Sequence, residues 1–193
     1  MKSEISEPSA KNGRSISGAL YEWCDALVYA LVAIIIIFTV FCKITNVIGT
    51  SMLSTLHEKD TLIVSKLGYE PDHGDIVVIS MDNEYFQKPI VKRIIAMGGE
   101  TVNIDFDTHE VSVTGTDGVT RVLEEDYINE ETRLAADMVF PLYIPEGYVF
   151  VMGDNRNRST DSRDSRVGLI DERRIMGRVI LRVFPLKDFG VVK

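Results

Sequence analysis

Hydrophobic residues follow two different patterns along this chain. Residues 26–42 read ALVYALVAIIIIFTVFC, which is 17 positions without a charged side chain between Asp25 and Lys43. As a helix, an apolar run of this length nearly crosses the ~30 Å of hydrocarbon in a bilayer. Trp23 on its N-terminal side suits a membrane interface. We therefore predict one transmembrane signal-anchor over residues 23–43.

Two other interpretations of this run remain open, a removed signal peptide and a buried core helix. A signal peptide has a shorter apolar region that ends at a small-residue cleavage site. A buried core helix rarely lacks polar residues on every side. For an anchor, the lysine and arginine count favours a cytoplasmic N-terminus, so residues 1–22 are predicted to be a cytoplasmic tail.

After the anchor, the pattern changes to short runs rich in Val, Ile, Tyr and Phe between turn signals, which is typical of strands. A strong hairpin signal, Asp117-Gly118, separates two of these runs. The only candidate helix is short and lies near residues 126–137. The body is therefore predicted to be mainly β, a barrel or coiled sheet. The predicted strands are 61–65, 75–80, 90–97, 101–104, 111–113, 119–123, 148–152 and 175–184.

Acidic residues are concentrated in one part of the body. Residues 100–137 contain eleven acidic and two basic side chains, whereas the whole 193-residue chain has a net charge of −8. Because charge runs usually face water, we predict a solvated, inserted subdomain over about 103–138 rather than a cation site.

The composition excludes several classes of function. An excess of 29 acidic over 21 basic residues argues against nucleic acid as a partner. Both cysteines precede residue 45, so the rest of the chain has neither a disulfide nor a thiolate metal cluster. With only three histidines, a multi-histidine metal site is not expected. We predict no metal and no organic cofactor.

Candidate chemistry begins directly after the anchor, at Ser51. A hydroxyl is a poor nucleophile unless a neighbouring base removes its proton. Lys92 is a candidate base, because on a strand it shares a face with Ile94 and Ala96, and burial there favours the neutral amine. Two plainer interpretations remain open at this point: a structural serine in a loop, and an exposed lysine on an edge strand.

A third segment, residues 148–163, reads YVFVMGDNRNRSTDSR. A predicted buried strand ends at Gly153, and polar side chains that can bond to one another follow it densely. Such a loop can hold several charge-assisted hydrogen bonds and orient a serine–lysine pair.

In this order behind an N-terminal anchor, these segments resemble bacterial type I signal peptidases, the membrane-bound Ser/Lys proteases. The resemblance covers about residues 20–190 and is to the small one-anchor form common in Gram-positive-type bacteria. The Gly-Asp-Asn-Arg block at 153–156 is highly specific, whereas the serine block is weaker because the self-cleaving SOS repressors share the dyad. The matching segments are 49–56, 64–69, 74–77, 91–99 and 152–163.

The resemblance implies a serine endopeptidase that removes signal peptides from exported preproteins and cuts after small residues. Its nucleophile would be Ser51 and its general base Lys92, with Ser159 orienting the lysine. The backbone N–H of Ser51 would donate to the oxyanion. The pairs expected to brace the site are Arg93 with Asp154 and Asp161 with Arg163.

The resemblance also implies a single-pass protein of the cell membrane. Its partners would be signal peptides and the lipid bilayer, and residues 44–193 would form an extracytoplasmic catalytic domain. The chain departs from the family at Ser54, where proline is usual, and at 96–100, which reads Ala-Met-Gly-Gly-Glu rather than Gly-Leu-Pro-Gly-Asp. Gly49 stands where some relatives have an oxyanion-binding hydroxyl.

Two alternative functions remain open. One is a Ser-His-Asp hydrolase that uses His57, His73 or His109, although none of them has a recognisable triad setting. The other is a catalytically impaired, anchored β-domain that binds secreted chains, and the departures from the family pattern give it some support. The oligomeric state does not follow from the sequence.

Overall fold

The computed structural model describes residues 16–81 and 83–192, and it begins with one helix, α1 (Ile16–Phe41). Beyond α1 the fold is mainly β, which confirms the prediction for the body. The chain divides into two compact units, with the boundary after Val40. The strands are β1 (Cys42–Asn46), β2 (Thr61–Ser65), β3 (Ile76–Ile79), β4 (Ile90–Ala96), β5 (Thr101–Ile104), β6 (Val111–Thr114), β7 (Thr120–Val122), β8 (Leu142–Tyr143), β9 (Tyr148–Met152), β10 (Ile170–Asp171), β11 (Ile175–Phe184) and β12 (Gly190–Val191).

Helix α1 contains most of the predicted anchor but has different ends. It begins at Ile16, and the chain turns into strand β1 at Cys42, so Cys42 and Lys43 pair with β2 instead of continuing the helix. Within the part of the chain that the structure describes, no helix combines the length and apolar character needed to cross a bilayer. The predicted span is therefore not shown. Most of the predicted cytoplasmic tail, residues 1–15, lies outside the described residues.

The larger sheet carries the strands that surround the candidate site. Its order is β1-β2-β11-β3-β4-β9-β10, with β12 paired to β11, and it curls into a half-barrel. Strand β4 pairs with β3 from Ile90 to Arg93, but it pairs with β9 only from Arg93 to Ala96. Residues 90–92 therefore have β3 on one side and, among the described residues, no strand on the other.

A second sheet follows β4 in the chain, in the order β7-β6-β5-β8. The predicted hairpin turn lies between β6 and β7, where Gly118 has a φ of 75°. This left-handed backbone conformation favours glycine. The helix predicted near 126–137 is wrong, because this segment is irregular and two of its backbone N–H groups, those of Arg133 and Leu134, donate to the Asn157 side chain.

The hydrophobic core holds both sheets together and covers both faces of β4. Ile94 belongs to one cluster with the β3 residues Val77 and Ile79. Its neighbour Ile95 belongs to a second cluster, which also contains Val102 of the smaller sheet. Because β4 is packed on both faces, the side chains that it carries toward the candidate site are held on a rigid element.

Candidate active site

Ser51 lies in a tight turn segment, residues 47–56, between β1 and β2. Core side chains of this segment, including the fully buried Met52 and Leu56, hold it against the body of the protein. Its backbone is also tied to the loop after β9, because the Ser51 carbonyl accepts a hydrogen bond from the Asn155 N–H at 3.0 Å. The position of Ser51 is thus determined from two sides.

Lys92 points from β4 to the hydroxyl of Ser51. Its Nζ donates to Ser51 Oγ at 2.7 Å and to the Val91 carbonyl at 3.1 Å. The residue is only 3% exposed, so the exposed edge-strand interpretation is wrong. Burial lowers the pKa of Lys92 to about 8, although the Asp161 and Asp154 carboxylates oppose this effect. Roughly a tenth of the amine is therefore neutral at pH 7, and about half at pH 8.

The polar loop of residues 153–163, which we call the bracing loop, contributes Asp154 to this site. Arg93 donates to both Asp154 oxygens, from Nε at 2.9 Å and from Nη2 at 2.7 Å. Both side chains are almost fully buried, and the Thr55 hydroxyl also donates to Asp154. One carboxylate thus connects the strand of Lys92, the segment of Ser51 and the bracing loop.

A second buried ion pair lies within the bracing loop. Arg163 donates to Asp161 from Nε at 2.8 Å and from Nη2 at 2.9 Å, and the Gly153 N–H donates to Asp161 at 3.0 Å. Burial alone would raise the pKa of Asp161, but Arg163 and this backbone donor outweigh it and lower the pKa. The carboxylate therefore stays charged near Lys92.

Ser159 is the predicted site residue whose expected hydrogen bond is absent. Its Oγ is buried and makes no hydrogen bond of standard geometry among the residues that the structure describes, although the hydroxyl is close enough to Asp161 to help lower the pKa of that carboxyl. The side chain lies immediately beside Gly153, where an added Cβ would come within 2.6 Å of Ser159 Cβ. Its predicted orientation of Lys92 stays a prediction.

A cavity of about 500 Å³ opens over the serine–lysine pair. Its described lining contains no histidine, and Ser51 Oγ has Lys92 as its bonding partner. His73 instead contacts Glu100 at 2.8 Å. The geometry therefore does not support a Ser-His-Asp site. Among residues 16–81 and 83–192, no cluster of His, Cys, Asp and Glu side chains is arranged to hold a metal ion. The cavity is lined by residues 48–51, 85–92, Arg158 and Thr160.

Two residues near the site, Glu125 and Tyr127, were not predicted from the sequence, because they belong to the acidic segment. Glu125 forms an ion pair with Arg156, and its side chain is only 8% exposed. The Tyr127 ring lies 3.9 Å below the guanidinium carbon of Arg93. The interpretation of the whole segment as solvated surface is therefore wrong for these positions. No local sequence signal distinguishes them from their exposed acidic neighbours.

Known proteins are similar in sequence to this chain over most of its length. Residues 20–184 match the family described as "Signal peptidase, peptidase S26". A signal peptidase I from Bacillus licheniformis is 36% identical over 88% of this chain and 91% of its own length. Signal peptidase I T of Bacillus subtilis (strain 168) is 32% identical over 100% of both chains.

A solved structure is also similar. The crystal structure of a signal peptidase I from Enterococcus faecalis V583 is 28% identical, with a TM-score of 0.44, and the match covers 57% of this chain and 97% of that chain. The family match and the two Bacillus relatives span the turn segment, β4 and the bracing loop alike. This chain belongs to the signal peptidase family, peptidase S26.

Proposed function

We propose that this chain is a membrane-anchored serine endopeptidase that removes N-terminal signal peptides from exported preproteins. Ser51 is the nucleophile and Lys92 the general base. The observation that carries the proposal is the 2.7 Å hydrogen bond between Lys92 Nζ and Ser51 Oγ, made by a lysine that is 3% exposed. A buried, partly neutral amine at this distance can take the proton of a hydroxyl.

The proposed reaction has two stages. Lys92 takes the Ser51 proton as Oγ attacks the scissile carbonyl, and the resulting ammonium gives that proton to the leaving amine. Water then hydrolyses the acyl-enzyme, with the neutral lysine again accepting a proton. The backbone N–H of Ser51 has no partner among the described residues and is free to donate to the oxyanion.

The open side of β4 supports an extended peptide as substrate. Residues 90–92 have no strand partner on one side within the part of the chain that the structure describes, and they line the cavity over the dyad. A peptide that adds here as a strand presents alternate side chains to the enzyme. The relatives named signal peptidase I support signal peptides as the substrate. Cleavage after small residues is part of the same proposal.

The proposed anchor is the apolar run in α1. The described side chains of this helix are exposed, including Trp23 at 77% and Leu27 at 70%. A helix whose apolar side chains are exposed in this way is favoured in hydrocarbon rather than in water. We place the N-terminus in the cytoplasm and the β body outside, in a single-pass protein of the cell membrane.

Two measurements on membranes that contain the full chain test the function and the anchor. A preprotein added in detergent should be cleaved once, and sequencing of the product should give a new N-terminus directly after a small residue. Alkaline carbonate should leave the chain in the membrane pellet. Binding of the preprotein without fragments would favour the impaired β-domain instead, and release by carbonate would contradict the anchor.

The rate of cleavage should depend on pH through Lys92. The protonated amine cannot act as a base, and burial lowers its pKa to about 8. Below that pH, kcat/KM should rise close to tenfold per pH unit, and it should level off above it. Initial rates measured between pH 6 and about 10 give this rising limb of the pH profile. A flat profile across this range would contradict lysine as the base.

A further inference from the structure

The acidic segment between β7 and β8 lies against the bracing loop and the dyad. Residues 124–138 contain no helix or strand, and we call them the strap. Although the strap includes six acidic residues, its contacts are with specific cations and amides. They include contacts from both Arg163 and Asn157.

Glu125 neutralises the most deeply buried arginine of the bracing loop. Arg156 is 1% exposed, and its Nη1 donates to Glu125 Oε2 at 2.6 Å and to the Thr132 hydroxyl at 3.1 Å. Its Nε donates to the Gly153 carbonyl at 3.1 Å, inside the bracing loop itself. A buried guanidinium needs such a counter-charge, because an unpaired buried charge is strongly destabilising.

Tyr127 contacts all three parts of the site. Its ring packs under Arg93 at 3.9 Å and lies 5.8 Å from the guanidinium of Arg156. Its backbone carbonyl accepts a hydrogen bond from Ser54 Oγ at 3.0 Å, in the segment that carries Ser51. Its hydroxyl donates to Glu125 at 2.8 Å.

The far half of the strap is fixed to the same loop through its backbone. The N–H groups of Arg133 and Leu134 donate to Asn157 Oδ1 at 3.0 and 3.2 Å. The Leu134 carbonyl accepts from Arg163 Nη1 at 3.0 Å, and the Met138 N–H donates to the Arg163 carbonyl at 3.0 Å. The strap is therefore bound along its length and is not a free surface loop.

We propose that the strap is a positioning element for the dyad, with Tyr127 as its central residue, because its ring holds Arg93 on Asp154 beside Lys92. This inference rests on the proposed function. Arg93 is adjacent to Lys92 on β4, and Asp154 also binds Thr55 near Ser51. Tyr127 does not line the cavity. It acts on the dyad only through these neighbours.

The direction of the effect follows from the charges around Lys92. Asp161 and Asp154 raise its pKa, whereas burial and Arg163 lower it, and Arg158 lines the same cavity. Loss of the Tyr127 ring admits water and loosens Arg93 from Asp154. Both changes favour the ammonium form of Lys92, so its pKa should rise.

The decisive variant is Tyr127→Leu in the full chain. We expect kcat to fall by about tenfold or more, with KM changed by less than about threefold, because the dyad is misplaced while the substrate groove is kept. The rising limb of the pH profile should move upward by about 0.5–1 pH unit. Tyr127→Phe, which keeps the ring against Arg93, should have the wild-type kcat and the wild-type position of the rising limb.

Tyr143→Leu is the matched control, because Tyr143 is 58% exposed on the smaller sheet. This substitution should leave both kcat and the rising limb of the pH profile unchanged. An unchanged limb in folded Tyr127→Leu would overturn the inference. If Tyr127→Leu does not fold, Glu125→Gln is the variant to measure. We expect its kcat to be about tenfold lower than that of the wild type. An unchanged kcat would overturn the inference. Failure of the proposed function is distinct, since the wild-type chain would then release no fragments.

Discussion

Replacing Ser51 with alanine should reduce kcat/KM for preprotein cleavage by at least about 10⁴-fold. The side chain supplies the attacking oxygen, and no other hydroxyl is bonded to Lys92 among the described residues. Folding should be preserved, because among the described residues Ser51 Oγ makes a hydrogen bond only with Lys92, and the buried core residues Met52 and Leu56 remain. Initial rates on a preprotein, together with thermal unfolding of the same sample, measure both expectations.

Lys92→Met should cause a loss of similar size. Methionine fills about the same volume in the buried site but cannot accept a proton, so Ser51 remains a neutral hydroxyl. The double variant should be no slower than either single variant, since the two groups act as one unit. His57→Ala is a suitable control, because His57 is exposed and lies outside the cavity. Substantial cleavage by either single dyad variant would reject the assignment.

Sequence alternation indicated the face of Lys92 but not how deeply it is buried. The pattern placed Lys92 with Ile94 and Ala96, which left open whether that face pointed to the core or to water. The structure shows that the opposite face is also buried, because Ile95 packs toward the smaller sheet. Burial on both faces arises from contacts distant in sequence, so a local period of two residues cannot reveal it.

The ion pairs of the bracing loop were suggested by resemblance, whereas the contacts that the strap makes with this loop were not predicted. Its composition alone favoured solvated charge, because single-sign runs usually face water. Glu125 is instead paired with Arg156, which lies 31 positions further along the chain. The predicted helix failed for the same reason, since the backbone donors of Arg133 and Leu134 bind the side chain of Asn157.

The boundary between α1 and β1 shows a similar limit. Cys42 is apolar and continues the hydrophobic run, so composition assigns it to the anchor. Its strand conformation depends on pairing with Ser65 of β2, 23 positions away. Long-range pairing of this kind overrides local hydrophobicity at the end of an element.

Outside the dyad, the largest effect is expected at Gly153, where the structure leaves no room for a side chain. A Cβ at this position would lie 2.6 Å from Ser159 Cβ, and closer still to Ser159 Oγ and to the Ser51 carbonyl oxygen. Because real Cβ atoms essentially never approach other atoms so closely, Gly153→Ala forces either the bracing loop or the backbone of Ser51 to move. The Ser51 carbonyl would then lose its hydrogen bond from Asn155.

A shift of about 1 Å in the nucleophile is enough to lower the rate by about 10²-fold, so we expect a loss of that size in kcat for Gly153→Ala. Overpacking should also cost about 1–3 kcal/mol in the free energy of unfolding. Gly190→Ala is the matched control, because a Cβ there meets nothing within 4 Å. Rates measured below the unfolding transition separate the two effects, since lost stability alone would not slow a fully folded sample. Wild-type kcat in folded Gly153→Ala would show that the contact behind Ser51 does not set the position of its hydroxyl.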